Sequence, residues 1–418
     1  MPRLRSLILQ DAIPAIDARS EILGLHRVLP MAFNEIDVSG HLQALADRIV
    51  VDARDAAAMM DMSMLLQAHS FADQARSLLD EATRIQKDFC IVHGDGSGIR
   101  LLAFVTPGDF MANTPLDFLL NGSNAVLWLH FVDGDTADLR NLPAHDVAFF
   151  AIGEANHHGP VLTRMAELLA GWDGPIMNND PTLIAGLTRD GVSALLDDEP
   201  SILVPANRRF PRDALAAVAA GADAMQVLGS AFPLIVRPIG THAGHGMDKL
   251  DDEAAIARYL DGEGSTHFYA APFIDYRGAE GWFSKQRIVL IDGKPYPSHL
   301  ALSDHWMVHY LNAGMMENAR KRAIEADWME RFDDDFAVRH RAAFEALYRR
   351  IGLDYFGIDC AELPDGRLLV FELDVAMVVH DMDDVTVFPY KKPAMQALFD
   401  GFVAAAEARR LPVLEYAA

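Results

Sequence analysis

Two Asp-Gly pairs, at 292–293 and 365–366, each stand between short runs in which apolar and polar residues alternate. Such a pair suits the left-handed turn of a two-residue hairpin. The stretches "QRIVLIDGKPYPSHLAL" (286–302) and "YFGIDCAELPDGRLLVFELDV" (355–375) therefore read as antiparallel hairpins. On the second hairpin, Glu372 and Asp374 are two residues apart and share a face of their strand. The turn at 365–366 can bring Asp359 beside them. Acids crowded in this way repel one another unless a cation neutralises them. Oxygen-only ligands favour a hard ion, Mg²⁺ or Mn²⁺. An exposed acidic strand face with no ion is the other reading. Cys360 follows Asp359 and points to the opposite face, into the core.

The basic residues gather just upstream. Arg237 ends the apolar run "PLIVR" and opens "PIGTHAGHG", whose glycines 240, 244 and 246 allow backbone N–H groups to cradle an anion. His242 and His245 lie within that loop, and Arg287 sits near the start of the first hairpin. A plain turn with a salt-bridged arginine would look the same.

The rest of the chain has a different texture. Residues 100–106, 125–132, 146–152 and 174–178 are short apolar runs separated by helical stretches near 114–120 and 159–171. Strands alternating with helices predict a parallel sheet with helices on its faces. The loop "TPGDFMANTP" follows the first run, but neither GxGxxG nor a P-loop is present. Residues 178–196 read as one helix capped by Asp180, and 333–352 as one long amphipathic helix. Residues 1 to about 90 read mainly as helix, including a helix–turn–helix pair with core methionines. The expected division is a helical segment 1–92, an α/β domain 93–190, and a two-lobed α+β domain 191–418 split near 275.

Composition bounds the partners. A formal net charge of -24 repels nucleic-acid phosphates and anionic membranes. Two distant cysteines argue against a disulfide framework or a zinc site, and fit a reducing cytoplasm. No apolar run reaches membrane-spanning length.

From about 185 to 375 the ordered pieces resemble the ATP-grasp ligases, such as glutathione synthetase, D-alanine–D-alanine ligase and the RimK-like amino-acid ligases. "IAGLTRDGVSALL" looks like the helix whose basic residue, here Arg189, touches ATP phosphate. "FPLIVRPIGTHAGHGM" resembles the strand and phosphate-covering loop, with Arg237 where lysine is common. "FYAAPFID" resembles the strand that binds adenine through its backbone, at Ala271, Phe273 and Ile274. "QRIVLIDGKPYP" resembles the hairpin carrying a phosphate-binding arginine, Arg287. "GIDCAELPDGRLLVFELD" resembles the metal hairpin, with Asp359, Glu372 and Asp374 as ligands. Asp374 stands where asparagine is common, and "VAMVVHDMD" replaces the usual small-residue loop.

The resemblance implies an ADP-forming carboxylate–amine ligase that uses ATP and Mg²⁺ or Mn²⁺. Arg237 and Arg287 would stabilise the transferred phosphoryl group. The substrates would be small-molecule or peptide carboxylates and amines, and the enzyme a cytoplasmic protein, as a homo-oligomer in many relatives. His242, His305, His309 and Asn312 are substrate candidates, and His380 follows the metal hairpin. Two other readings stay open: a phosphotransfer enzyme on the same fold, and a non-catalytic nucleotide-binding or assembly protein.

Overall fold

The computed structural model describes residues 19–241, 244–310 and 313–411. Helices Leu25–Phe33, Ser39–Val51, Ala56–Ala68 and Ala72–Ile85 come first. The last two form the expected pair, and Met59 and Met60 are buried in the core they share with the first sheet. The helical reading of the first ninety residues stops short, because β1 (Asp88–Val92) is a strand. Its residues Phe89, Cys90 and Ile91 are all buried, so no alternation marks it in the sequence.

β1 lies at the edge of a sheet with β2 (Arg100–Val105), β3 (Val126–Phe131), β4 (Val147–Phe150) and β5 (Ile176–Met177). The order is β1-β3-β2-β4-β5; β1 is antiparallel and the other four are parallel, as predicted. Both faces are covered, which is why these strands read as continuous apolar runs. Leu101 and Ala103 pack with the N-terminal helices and helix Lys391–Glu407. Leu102 and Phe104 pack with helix Gly159–Leu169.

Two helix predictions need correction. Residues 178–196 form two helices, Pro181–Ala185 and Arg189–Leu196. Asp180 caps the first as expected, but Gly186 ends it, and Thr188 caps the second by accepting from the Gly191 N–H at 3.1 Å. Arg189 therefore opens a helix instead of lying within one. Likewise 333–352 breaks at His340 into Phe336–Arg339 and Arg341–Ile351, the latter ending on Gly352 at φ 71°.

The remaining strands are β6 (Ile202–Leu203), β7 (Arg208–Pro211), β8 (Leu234–Pro238), β9 (Asp248–Leu250), β10 (His267–Pro272), β11 (Phe283–Ile291), β12 (Lys294–Ser303), β13 (Tyr355–Glu362) and β14 (Leu368–Asp374). They build two sheets, β7-β10-β8-β9 and β12-β11-β13-β14-β6. Both hairpins turn at their Asp-Gly pairs; Asp292 and Gly293 have φ of 48° and 80°. In the second sheet Leu234, Val236, Phe268 and Ala270 pack on helices Arg212–Ala219 and Glu253–Gly262. In the third, Ile288, Leu290, Phe356, Ile358 and Cys360 join the core that contains Phe344 and Leu347. Among the described residues, no helix is long and apolar enough to cross a membrane.

Candidate active site

Strand alternation decides what the second and third sheets leave for the space between them. With the even residues of β8 and β10 in the core, Ile235, Arg237 and Ala271 face the other way. On β11 the odd residues change character along the strand. Val289 and Ile291 enter the core near helix Lys391–Glu407, whereas Lys285 and Arg287 line a cavity of about 740 Å³. Asp359, Glu372 and Asp374 line the same cavity.

A row of side chains crosses the third sheet. His299 pairs with Arg287, Arg287 with Asp359, and Asp359 with Glu372. Each hairpin carries an irregularity beside this row. Ser298 is an extra residue in β12, and Phe371 is an extra residue in β14. The second bulge explains how Val370 can face the core while Glu372, also even-numbered, faces the cleft. Without it Phe371 would stand opposite Asp359.

The charges in the row are tightly paired. Arg287 donates from Nε to Asp359 Oδ1 at 2.8 Å and from Nη2 to Oδ2 at 3.0 Å. Lys285 Nζ donates to Asp359 Oδ2 at 2.9 Å. Burial opposes the charge on Asp359, but Arg287 and Lys285 outweigh it and hold the carboxyl well below the usual range. Arg189 reaches Glu372 Oε1 at 2.7 Å. Burial, then repulsion from Glu372 and Glu154, push Asp374 up to about 7, although its carboxylate accepts the Ala376 N–H at 3.0 Å.

Arg237 differs. It is 6% exposed, and Nη2 donates to the Thr241 carbonyl. Its Nε has no hydrogen-bond partner, and among the described residues it has no ion pair. Burial, with Arg189 nearby, pushes its guanidinium down to about 10. A buried N–H left without an acceptor is costly, and an anion in the cavity would satisfy it.

The structure brings Arg189, Arg237, Ala271, Phe273, Ile274, Arg287, His309 and the three acids to one cavity. Ala271 is paired with Ile235, and the Phe273 N–H donates to the Pro233 carbonyl at 2.9 Å, so the strand ladder already uses backbone groups of two of the three expected adenine contacts. His305 is exposed and does not line the cavity; its Nδ1 accepts the Met307 N–H at 3.2 Å. His242 and Asn312 lie outside the described residues. Sequence reasoning missed Lys285 and His299. Lys285 could have been found from Arg287 by counting back two residues along the strand; His299 could not, because the bulge at Ser298 breaks the count.

A smaller cavity of about 340 Å³ shares Arg189, Phe371, Glu372 and Asp374 with the larger one. Its other wall comes from the loops after β2 and β4, including Asp109 and Glu154. Those loops follow the carboxyl ends of the two strands where the order of the first sheet reverses, the usual place for a ligand in an open parallel sheet. The loop at 106–115 thus faces the acids from the far side.

Whether the acids suit a divalent cation depends on which oxygens are free. Both oxygens of Asp359 are engaged by cations, and the described residues contain no group of three or more His, Cys, Asp or Glu poised around one ion. Glu372 has Oε1 on Arg189 and Asp374 has Oδ1 on the Ala376 N–H, which leaves the second oxygen of each on one face of the strand. Mg²⁺ is commonly held by one or two carboxylates, with waters and phosphates completing its shell, so this pair fits.

No family model and no curated protein matches the chain. Solved structures similar to it include an ATP-grasp protein and two ligases. A RimK domain protein ATP-grasp from Sphaerobacter thermophilus DSM 20745 is 15% identical, with 73% of this chain and 99% of that chain covered and a TM-score of 0.39. The D-alanine–D-alanine ligase from Bacillus anthracis complexed with ATP is 13% identical, covering 75% and 98%, with a TM-score of 0.45. The VanG D-Ala:D-Ser ligase from Enterococcus faecalis is 14% identical, covering 74% and 100%, with a TM-score of 0.46. Likeness this distant leaves the functional case to the chain's own side chains.

Proposed function

We propose that the cleft binds ATP with Mg²⁺ or Mn²⁺, and that the chain is an ADP-forming ligase of the ATP-grasp kind. It activates a carboxylate as an acylphosphate and joins it to an amine. One observation carries this reading. A buried arginine without a counter-ion among the described residues, Arg237, faces a row of paired charges across a cavity that also has an apolar wall. Ile235, Ala271, Phe273, Ile274 and Met307 contribute to that wall. Flat apolar walls suit a purine, and convergent guanidinium groups suit phosphates.

Each side chain then has a defined task. Arg237, Arg189 and Arg287 neutralise phosphate charge and hold the transferring group in line. Glu372 and Asp374 would hold the cation, and Asp359 would join them once Arg287 turns toward phosphate, with Lys285 still on its other oxygen. A divalent cation held there supplies charge neutralisation on the phosphates. The glycines at 240, 244 and 246 all have positive φ, so the loop above Arg237 can bring its backbone close and exclude water. No protein nucleophile is needed. Cys360 is buried, and its thiol is pushed well up by burial and by Asp359.

The test is a screen for ADP release with paired amino acids and peptides, with mass spectrometry of the product. The ligase reading expects ADP only when an acid and an amine are both present, and a condensed product. ADP at the same rate without an amine would favour phosphotransfer. Mg-ATP binding with no turnover across the panel would favour a non-catalytic binder.

A further inference from the structure

We propose that Lys285 anchors a carboxylate of the non-nucleotide substrate at the end of the cleft lined by His299 and His309. This rests on the ligase reading for its place in a reaction, but not for the binding site itself.

The first support is charge. Asp359 is one carboxylate, and Arg287 alone engages both of its oxygens. Lys285 adds a second full charge to the same partner, and Asp359 is its only ion pair among the described residues. Its side chain is only 16% exposed. Placing a second cation beside a satisfied carboxylate costs desolvation and repulsion from Arg287. An ammonium on a flexible stem has three donors, so it can keep Asp359 and take another anion.

The second support is the field felt by its neighbours. Burial and then Lys285 and Arg287 hold His309 below the ordinary histidine range. Burial and then Arg287, with Lys285 among the lesser causes, hold His299 well below it. The carboxylates facing this end do not cancel that field. Asp359 is shared by two cations, and Asp383 is tied to Lys391 at 2.9 Å. Both imidazoles line the cavity, so the excess positive potential faces its interior.

The third support is separation. The backbones of Lys285 on β11 and Glu372 on β14 are two strand steps apart, or about 10 Å, with Asp359 standing between their side chains. That leaves room for a phosphoryl group near Glu372 and a carboxylate near Lys285. The carboxylate has two possible sources: the acid being activated, or a non-reacting carboxylate on the amine substrate.

The test uses Lys285→Met and Lys285→Arg in the full chain. Succinate is titrated into the protein without nucleotide, with the imidazole resonances of His299 and His309 as the readout. Saturable shifts are expected in the native protein. Binding should be about tenfold or more weaker in Lys285→Met and partly restored in Lys285→Arg. No saturable shift, or equal affinity in Lys285→Met, would overturn the anchor. In the turnover screen, Lys285→Met should raise one KM by a similar factor and change kcat less. A rise confined to the acid identifies it as the source; a rise confined to the amine identifies the acceptor. Normal turnover with both KM values unchanged would sink the anchor and leave the ligase standing. Lys285-dependent succinate binding with no ADP from any pair would do the reverse.

Discussion

On the third sheet, every cation facing the cleft already has a carboxylate. Arg287 and Lys285 share Asp359, and Arg189 reaches across to Glu372. On the second sheet, Arg237 has none among the described residues and is less exposed than Arg287. Charge that is paired in the free protein holds the fold and must be released before it serves a ligand. Charge left unpaired costs stability in the free protein and returns it on binding. The two sides of the cleft should therefore answer mutation differently.

The largest effect is expected at the paired acid beside the phosphate position. Glu372→Ala should lower ADP formation by about 1000-fold or more, since it removes a cation ligand and frees Arg189. Activity within tenfold of the native rate would remove Glu372 from the site.

Next comes stability. Asp359→Ala leaves two buried cations without their anion and should cost about 3–5 kcal/mol in urea denaturation. A loss below about 1 kcal/mol would mean that the row is not the structural clamp it resembles. Arg237→Met should do the opposite. It should leave stability within about 1 kcal/mol or improve it, while weakening Mg-ATP binding about tenfold or more, read by calorimetry. Equal stability losses at Asp359 and Arg237 would erase the contrast between the two sheets.

The smallest effect lies far from the cleft and provides a calibration. Asp61 is buried in helix Ala56–Ala68 and accepts the Leu23 N–H at 2.8 Å. Burial pushes its carboxyl up to about 7 from an ordinary value of 3.8. Its folded state thus holds a proton more tightly than the unfolded state. The corresponding stability is present in full below about pH 4 and is lost as pH rises through about 7. Asp61→Asn keeps the acceptor and should gain about 1–3 kcal/mol at pH 8 relative to the native chain, with little gain at pH 4. Parallel pH curves for the two proteins would show that Asp61 is charged in the fold.

Much of this was legible in the chain. The two Asp-Gly turns and the parallel strands at 100–178 follow from alternation and turn chemistry. The convergence of Asp359 with Glu372 was expected too, but plain counting from the turn puts Phe371 opposite Asp359, and the bulge makes the pair. The pairing of Asp359 with Arg287 and Lys285 does not follow in this way, because it depends on which strand lies beside β13. The break at Gly186 was visible as a stop signal, but the apolar spacing on both sides masked it. β1 was hidden by having no polar face. β7 was hidden because Arg208 and Arg209 look like a solvated loop, although Arg209 packs over Tyr269 at 5.3 Å and holds Asp190 at 2.9 Å.

The extra residue Phe371 has a consequence for how such a chain can change over time. Deleting it restores plain alternation: Val370 still meets Cys360 and Glu372 still meets Asp359, so Glu372 and Asp374 keep the cleft and Leu373 keeps the core. Deleting Leu373 is different, because no spare residue absorbs the loss. Asp374 would then fall into the core place that Leu373 leaves. The strand can lose a letter at 371 and keep its spelling toward the cleft, but it cannot lose one two places further on.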